Sequence, residues 1–222
     1  MDSLIAYFER VISSDGDPHL DASGACRPAP PPGVVVATVP SRYRPRCVSL
    51  RDGREVTVRA IVEADATEIV QAFERLSAES RHYRFMGYKK NLDGAAVQRG
   101  VHPRPGQDFV FVATIPTADG IGIVGAGQYV RAGEGNDKTC EFAITVAEDW
   151  RGIGLATRLL ASLVRRARRD GYEAMEGWVL AQNTPMHAVV RNPFQDRARV
   201  GGCHCVAHTA RAAAPTAVTT VW

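Results

Sequence analysis

Arg151-Gly152-Ile153-Gly154-Leu155-Ala156 combine an arginine, two glycines and the start of a helical pattern, which is what a bound anion requires. The first-turn N–H groups of a helix have no partner inside it, and its dipole adds partial positive charge at that end. Glycine has no Cβ, so an anion can come close to the backbone at Gly152 and Gly154. A carboxylate, Glu141, stands ten positions upstream of Arg151, and Glu148 and Asp149 lie just before it. The chemistry to expect is the holding of a phosphate-bearing ligand beside an acid.

The residues around the loop say what must position it. Phe142 to Val146 is short, apolar and β-branched, as a buried strand is. Ala147 to Asp149 is a polar turn. Leu155, Leu159, Leu160, Leu163, Val164 and Ala167 then recur at helical spacing, with arginines between them, and Asp170-Gly171 is a stop. Strand, glycine loop and helix make a phosphate-binding arrangement. It is neither G-x-x-x-x-G-K-[ST] nor a full G-x-G-x-x-G with an acid about twenty residues on.

The spacing matches [Q/R]-x-x-G-x-[G/A], filled by Arg151, Gly154 and Ala156. It resembles the pyrophosphate loop of the GNAT acyltransferases, which bind acetyl-CoA. The alternative is a glycine-rich turn with no ligand. The resemblance implies acetyl-CoA as co-substrate and no metal. It implies cofactor contacts at Ile144, Thr145, Val146, Arg151, Gly152, Ile153, Gly154, Leu155 and Ala156. Asn183 resembles a residue that contacts the CoA arm in that family, against the reading of a plain turn asparagine.

The chain has 222 residues, 45% hydrophobic and 23% charged, with a net charge of +3. That fits one sizeable domain with appendages. Lysine stands only at 89, 90 and 138, so the other 24 basic residues are arginine. The arginines at 165–169 suit a solvated helix end better than a nucleic acid. No apolar run approaches bilayer length and the start lacks a basic signal region, so a cytoplasmic protein without membrane or nucleic-acid partners is expected. Five cysteines are expected to be free thiols.

Residues 1–46 read as a leader, with a short amphipathic helix over Met1 to Ile12 and then the stiff spacer Pro28-Ala29-Pro30-Pro31-Pro32-Gly33. A core over 47–186 follows. Val48 to Leu50 and Glu55 to Arg59 read as a hairpin around Asp52-Gly53. Asp65 reads as a helix cap, with Glu68 at capping-box spacing. A third short helix starts at Asp93. Strands follow at Asp108 to Thr114 and Ile121 to Arg131, joined by a loop holding Pro116 and Gly120. After the arginine-rich helix comes a strand over Ala174 to Leu180. Three consecutive antiparallel strands and a crossover helix give an α/β fold of the α+β type: a mixed, mostly antiparallel sheet flanked by helices. That is the GNAT element order.

Asp52-Gly53-Arg54, Val58-Arg59-Ala60-Ile61 with Asp65, Leu76 to Arg81 with Arg84-Phe85, Glu141-Phe142-Ala143 and Val179 to Met186 together resemble one branch of that family. These are the bacterial protein-lysine acetyltransferases that modify acetyl-CoA synthetase. The likeness spans roughly 48–186. It implies a protein lysine acceptor, such as one on a CoA-ligase-type enzyme, and it implies Glu141 as general base. The base is needed because lysine, with a pKa near ~10.4, is a free amine in about one molecule in a thousand or fewer at neutral pH. Glu141 can otherwise be an edge residue or an ion-pair partner, and Glu148 and Asp149 suit a turn or capping role. Oxyanion contacts are expected from the backbone at Ile144 to Val146. Tyr83, Arg84 and Phe85 are candidates for the acceptor side, Phe85 more readily for helix packing.

Past Met186 the pattern breaks. Residues 187–222 hold one acid, no tyrosine and little apolar periodicity. The expectation is an atypical tail outside the core and a sheet incomplete at its C-terminal end, with Thr216 to Trp222 the one strand-like run. Cys203, His204, Cys205 and His208 lack finger spacing. Two further readings stay open: a CoA-binding chain with little turnover, and a small-molecule amine N-acetyltransferase.

Overall fold

A computed structural model describes residues 43–132, 138–191, 204–207 and 216–221. The helix expected over Met1 to Ile12 and the proline spacer lie outside the described residues. The mixed, mostly antiparallel sheet expected from the sequence is present. Its strands are β1 (Arg46–Ser49), β2 (Glu55–Ala60), β3 (Asp108–Thr117), β4 (Gly120–Arg131), β5 (Thr139–Val146), β6 (Ala174–Val179), β7 (His204–Ala207) and β8 (Thr216–Val221). They lie in the order β1-β2-β3-β4-β5-β6-β8-β7. Among the described strands only the β5–β6 pair is parallel, as the crossover through a helix requires.

Five helices flank the sheet: α1 (Ala66–Glu74), α2 (Ala78–Phe85), α3 (Gly94–Val101), α4 (Leu155–Arg169) and α5 (Thr184–Arg191). Alternate strand residues face opposite sides. Phe109, Phe111, Tyr129, Cys140, Phe142 and Ile144 form the main core with Leu155, Leu159, Leu163 and Ala167 of α4. Each such leucine stabilises the fold by roughly 1.5–3 kcal/mol relative to exposure. Val110, Val112 and Ile123 form a second core on the other face with Ile61 and Val101, against which Ile69 and Ala72 of α1 pack.

Three local expectations change. Asp65 makes no side-chain cap on α1. Its carboxylate takes Arg59 at 2.6 and 2.7 Å and the Val62 N–H at 2.8 Å, because a neighbouring guanidinium outcompetes a helix amide. Glu68 accepts instead from Arg75 at 2.6 Å and the Ile123 N–H at 2.8 Å. Pro116 lies inside β3 opposite Ile121, not in a loop. The β2–β3 ladder stops at Thr114, so beyond it β3 is an edge, where a missing N–H is tolerated.

The tail also differs from expectation. β8 pairs antiparallel with β6 from Ala174↔Val221 to Val179↔Thr216, and β7 pairs with β8. Residues 187–222 therefore do add strands to the sheet. Thr216 to Val221 is β-branched at every position but Ala217 and meets the otherwise bare edge of β6. Asp93 does cap α3, accepting the Ala96 N–H at 3.0 Å.

Candidate active site

The β5–β6 ladder has three rungs: Thr139↔Ala174, Cys140↔Met175 and Glu141↔Glu176. β5 continues to Val146 and β6 to Val179, so the strands part just past Glu141. Beyond that rung the β6-facing edge of β5 has no ladder partner, and its backbone groups can serve a ligand. A cleft of about 1250 Å³ opens in the split.

All ten residues expected to touch the cofactor line this cleft: Ile144, Thr145, Val146, Arg151, Gly152, Ile153, Gly154, Leu155, Ala156 and Asn183. Gly152 and Gly154 adopt φ of 73° and 96°, the left-handed region that a side chain disfavours. Gly154 opens α4 with no side-chain cap, which leaves the first-turn amides without a capping side chain. Asn183 caps α5: its Oδ1 accepts the Met186 N–H at 3.2 Å. It holds the turn and borders the cleft at once.

Arg151 is already engaged. Its backbone N–H closes the turn onto the Glu148 carbonyl at 3.1 Å. Its guanidinium donates to the Val146 carbonyl at 3.3 Å and to Ser80, and lies 3.4 Å from Glu148. Glu148 also accepts from Ser80 and from the Ser77 N–H at 3.0 Å. Burial pushes its carboxyl up, but the hydrogen bonds from Ser80 and Ser77 outweigh that and hold it down at about 2. Glu148 thus ties α2 to the loop, in line with a turn role.

Arg51, which the sequence did not single out, and Arg54, named there only as part of the Asp52-Gly53-Arg54 motif, hold the loop in place. The Arg51 side chain donates to the Gly152 carbonyl at 2.8 Å, and its N–H donates to Ile153 at 3.1 Å. Arg54 donates to the Asp149 carbonyl at 2.9 Å and lies 4.2 Å over the Trp150 ring. The β1–β2 turn is a brace for the loop, and only the adjacent Asp52-Gly53 signal marked it. Arg51, Arg84, Lys89, Arg151 and Arg158 line the cleft, and no carboxylate does among the described residues. Burial brings Arg84 down to about 10, which leaves it charged at neutral pH.

Glu141 is 5% exposed, on the face of β5 opposite α4. It is not among the residues lining the cleft; it stands at the last paired rung, one position before Phe142, which is. The Trp178 indole N–H donates to it at 3.1 Å. Its neighbour Glu176 is pushed up, first by burial and then by the Glu141 charge. Tyr83, Arg84 and Phe85 of α2 line the cleft across from the loop, with the Tyr83 hydroxyl donating to Glu79 at 2.8 Å.

Residues 71–192 match the family model described as the acetyltransferase (GNAT) family. This chain belongs to the GNAT acetyltransferase family. As a GNAT member it is an N-acetyltransferase, an enzyme that moves an acetyl group from acetyl-CoA to an amine. It is 34% identical over 138 residues to an acetyltransferase of Pseudomonas aeruginosa, a match spanning 62% of this chain and 73% of the relative. The GNAT domain of S. lividans PAT is similar with a TM-score of 0.68 at 25% identity, over 80% of this chain and 98% of that one. The Salmonella typhimurium protein yncA, solved with its cofactor acetyl-CoA, gives 0.54 at 17% identity, over 75% and 91%; that likeness is one of fold.

Among the described residues no three metal-ligating side chains gather, and no helix is long and apolar enough to cross a membrane. Cys47 is exposed and Cys140 buried, both free thiols.

Proposed function

We propose that this GNAT acetyltransferase acts on a protein lysine ε-amine, with Glu141 as general base and acetyl-CoA seated in the β5–β6 split. The observation that carries the reading is the split itself, which opens at Glu141, leads to the Gly152–Gly154 loop and, among the described residues, is lined by five cations and no acid. The α4 first-turn amides and the cations around them suit a pyrophosphate. The unpaired edge of β5 at Ile144 to Val146 suits the pantetheine arm, and its N–H groups suit the oxyanion of the tetrahedral intermediate.

In the reaction the acceptor nitrogen attacks the thioester carbon and gives its proton to the Glu141 carboxylate. The carbon–sulfur bond then breaks and the CoA sulfur leaves with the electron pair. The Trp178 N–H holds the carboxylate at the mouth of the split. The lysine acceptor rests on the protein-lysine acetyltransferase motifs at 52–54, 76–85 and 179–186 and on the likeness to the S. lividans PAT domain. The cleft suits a protein segment, because Tyr88 at its rim is 92% exposed. The catalytic unit is 47–186, after a 1–46 leader and before residues 187–222, in a cytoplasmic setting.

The test is acetyl-CoA consumption, read as free thiol, with a CoA-ligase-type protein as acceptor and mass spectrometry of its lysines. Acetylated lysine that depends on this chain is the expected result. Thiol release with small amines only would remove the protein acceptor.

A further inference from the structure

A second cavity, of about 180 Å³, lies on the sheet face opposite α4, beneath α1 and α3. Phe73, Val97, Val101 and Val110 wall it. Ala126 and Ala143 floor it from β4 and β5, where larger residues would fill the space. The register sets each alanine beside a polar residue, pairing Ala126 with Thr145 and Gln128 with Ala143.

The two cavities meet. Arg84, Phe85, Lys89, Ala143 and Thr145 line both. Glu141, Ala143 and Thr145 alternate onto one face of β5, so the cavity lies on the side of the split where the base stands. An acetyl group is small against this space.

We propose that this cavity receives the acyl chain of a CoA thioester longer than acetyl, so that the enzyme transfers short- to medium-chain acyl groups. The inference rests on the CoA reading of the cleft. The acceptor lysine is a poor occupant, because it arrives as a cation. Its ammonium would lose its water among apolar walls, and the described lining of the smaller cavity holds no carboxylate to pair with it. A neutral hydrocarbon chain carries no such penalty and gains the apolar walls. The bond changes are those of acetyl transfer: the acyl carbon–sulfur bond breaks, the acyl carbon–nitrogen bond forms, the amine proton goes to Glu141, and the departing thiolate takes a proton from water.

The experiment is calorimetric titration of the full chain with acetyl-, butyryl-, hexanoyl- and octanoyl-CoA. Affinity should rise by up to about fourfold per added methylene until the cavity is full. Ala126→Leu should keep acetyl-CoA binding and abolish the gain with length. Ala96→Leu, at the cavity wall on α3, should do the same where a helix tolerates leucine well. Flat or falling affinity with chain length, with acetyl-CoA still bound, overturns the acyl pocket and leaves the CoA cleft standing. A gain that survives both substitutions overturns it too. Failure of every thioester to bind overturns the CoA reading itself.

Discussion

The indole N–H of Trp178 donates to a Glu141 carboxylate oxygen at 3.1 Å, across the point where β5 and β6 separate. Indole is a donor only, so the contact fixes where the carboxylate can sit without competing for protons. Glu141 and Trp178 come from the two strands that form the split, so the seat of the proposed base and the opening of the cleft are set by the same pair of strands.

Trp178→Phe removes the donor and keeps most of the ring. Turnover should fall by about tenfold, the order expected of a hydrogen bond to a charged group. Acetyl-CoA affinity should change little. Steady-state thiol release and calorimetry measure the two separately, and an unchanged kcat would show that the indole does not position Glu141.

Glu141→Gln should fold, bind acetyl-CoA and lose about 10²- to 10⁴-fold in turnover on a lysine acceptor. The deficit should shrink as pH rises from 7 toward 10, because a growing share of the acceptor is already free amine. Rates for the two proteins across that range decide it; a mutant as fast as the parent at pH 7 would falsify the base assignment.

Gly154→Asp should abolish acetyl-CoA binding. A Cβ there lies 3.4 Å from Arg51 Nε, so the new carboxylate would neutralise Arg51 at the loop. The φ of 96° adds backbone strain of about 1–2 kcal/mol. Titration calorimetry reads the first effect and thermal melting the second. Undiminished affinity would mean that the loop does not hold the pyrophosphate.

Glu148 makes a pH prediction whose sign follows from its depressed pKa. The carboxyl sits at about 2 in the folded chain against an ordinary 4.5. Its contribution is present in full above about 4.5 and fades as pH falls toward about 2. Glu148→Gln should therefore flatten part of the acid limb of stability in that window. Melting temperatures from pH 5 to 2.5 measure it, and identical slopes in both proteins would rule out this group.

Gly177→Ala should destabilise by about 1–3 kcal/mol through overpacking. An added Cβ would fall 2.5 Å from the Phe142 ring, deep between the parting strands. Phe142→Leu in the same chain should restore part of the loss. Urea midpoints of the single and double mutants give the coupling.

The strand–loop–helix unit was legible because Phe142 to Ala167 carries strong periodicity and a glycine signal together. The antiparallel run from β2 to β5 was legible for the same reason. Arg51 and the bracing contact of Arg54 were not, since an arginine beside a turn looks like any solvated residue until its distant partners are known. Asp65 was misread as a helix cap because its partner Arg59 lies on β2, where spacing along a helix gives no hint of it. Thr216 to Trp222 reads as strand-like from the sequence, but β7 does not, because it is four residues long and carries no alternation to read. The pairing of β8 is decided by the bare edge of β6, a tertiary fact.

The Arg51–Gly152 contact spans 101 residues of chain. A loop that long closes late, since its entropy is lost before any contact compensates. The β5–α4 unit can fold locally, yet its glycine turn reaches final shape only when the first hairpin docks on it. Order in time should therefore reverse order of importance: the anion-binding turn, built from adjacent residues, is expected to be among the last parts of the molecule to become competent. Recovery of CoA binding during refolding then reports the end of folding, not its beginning.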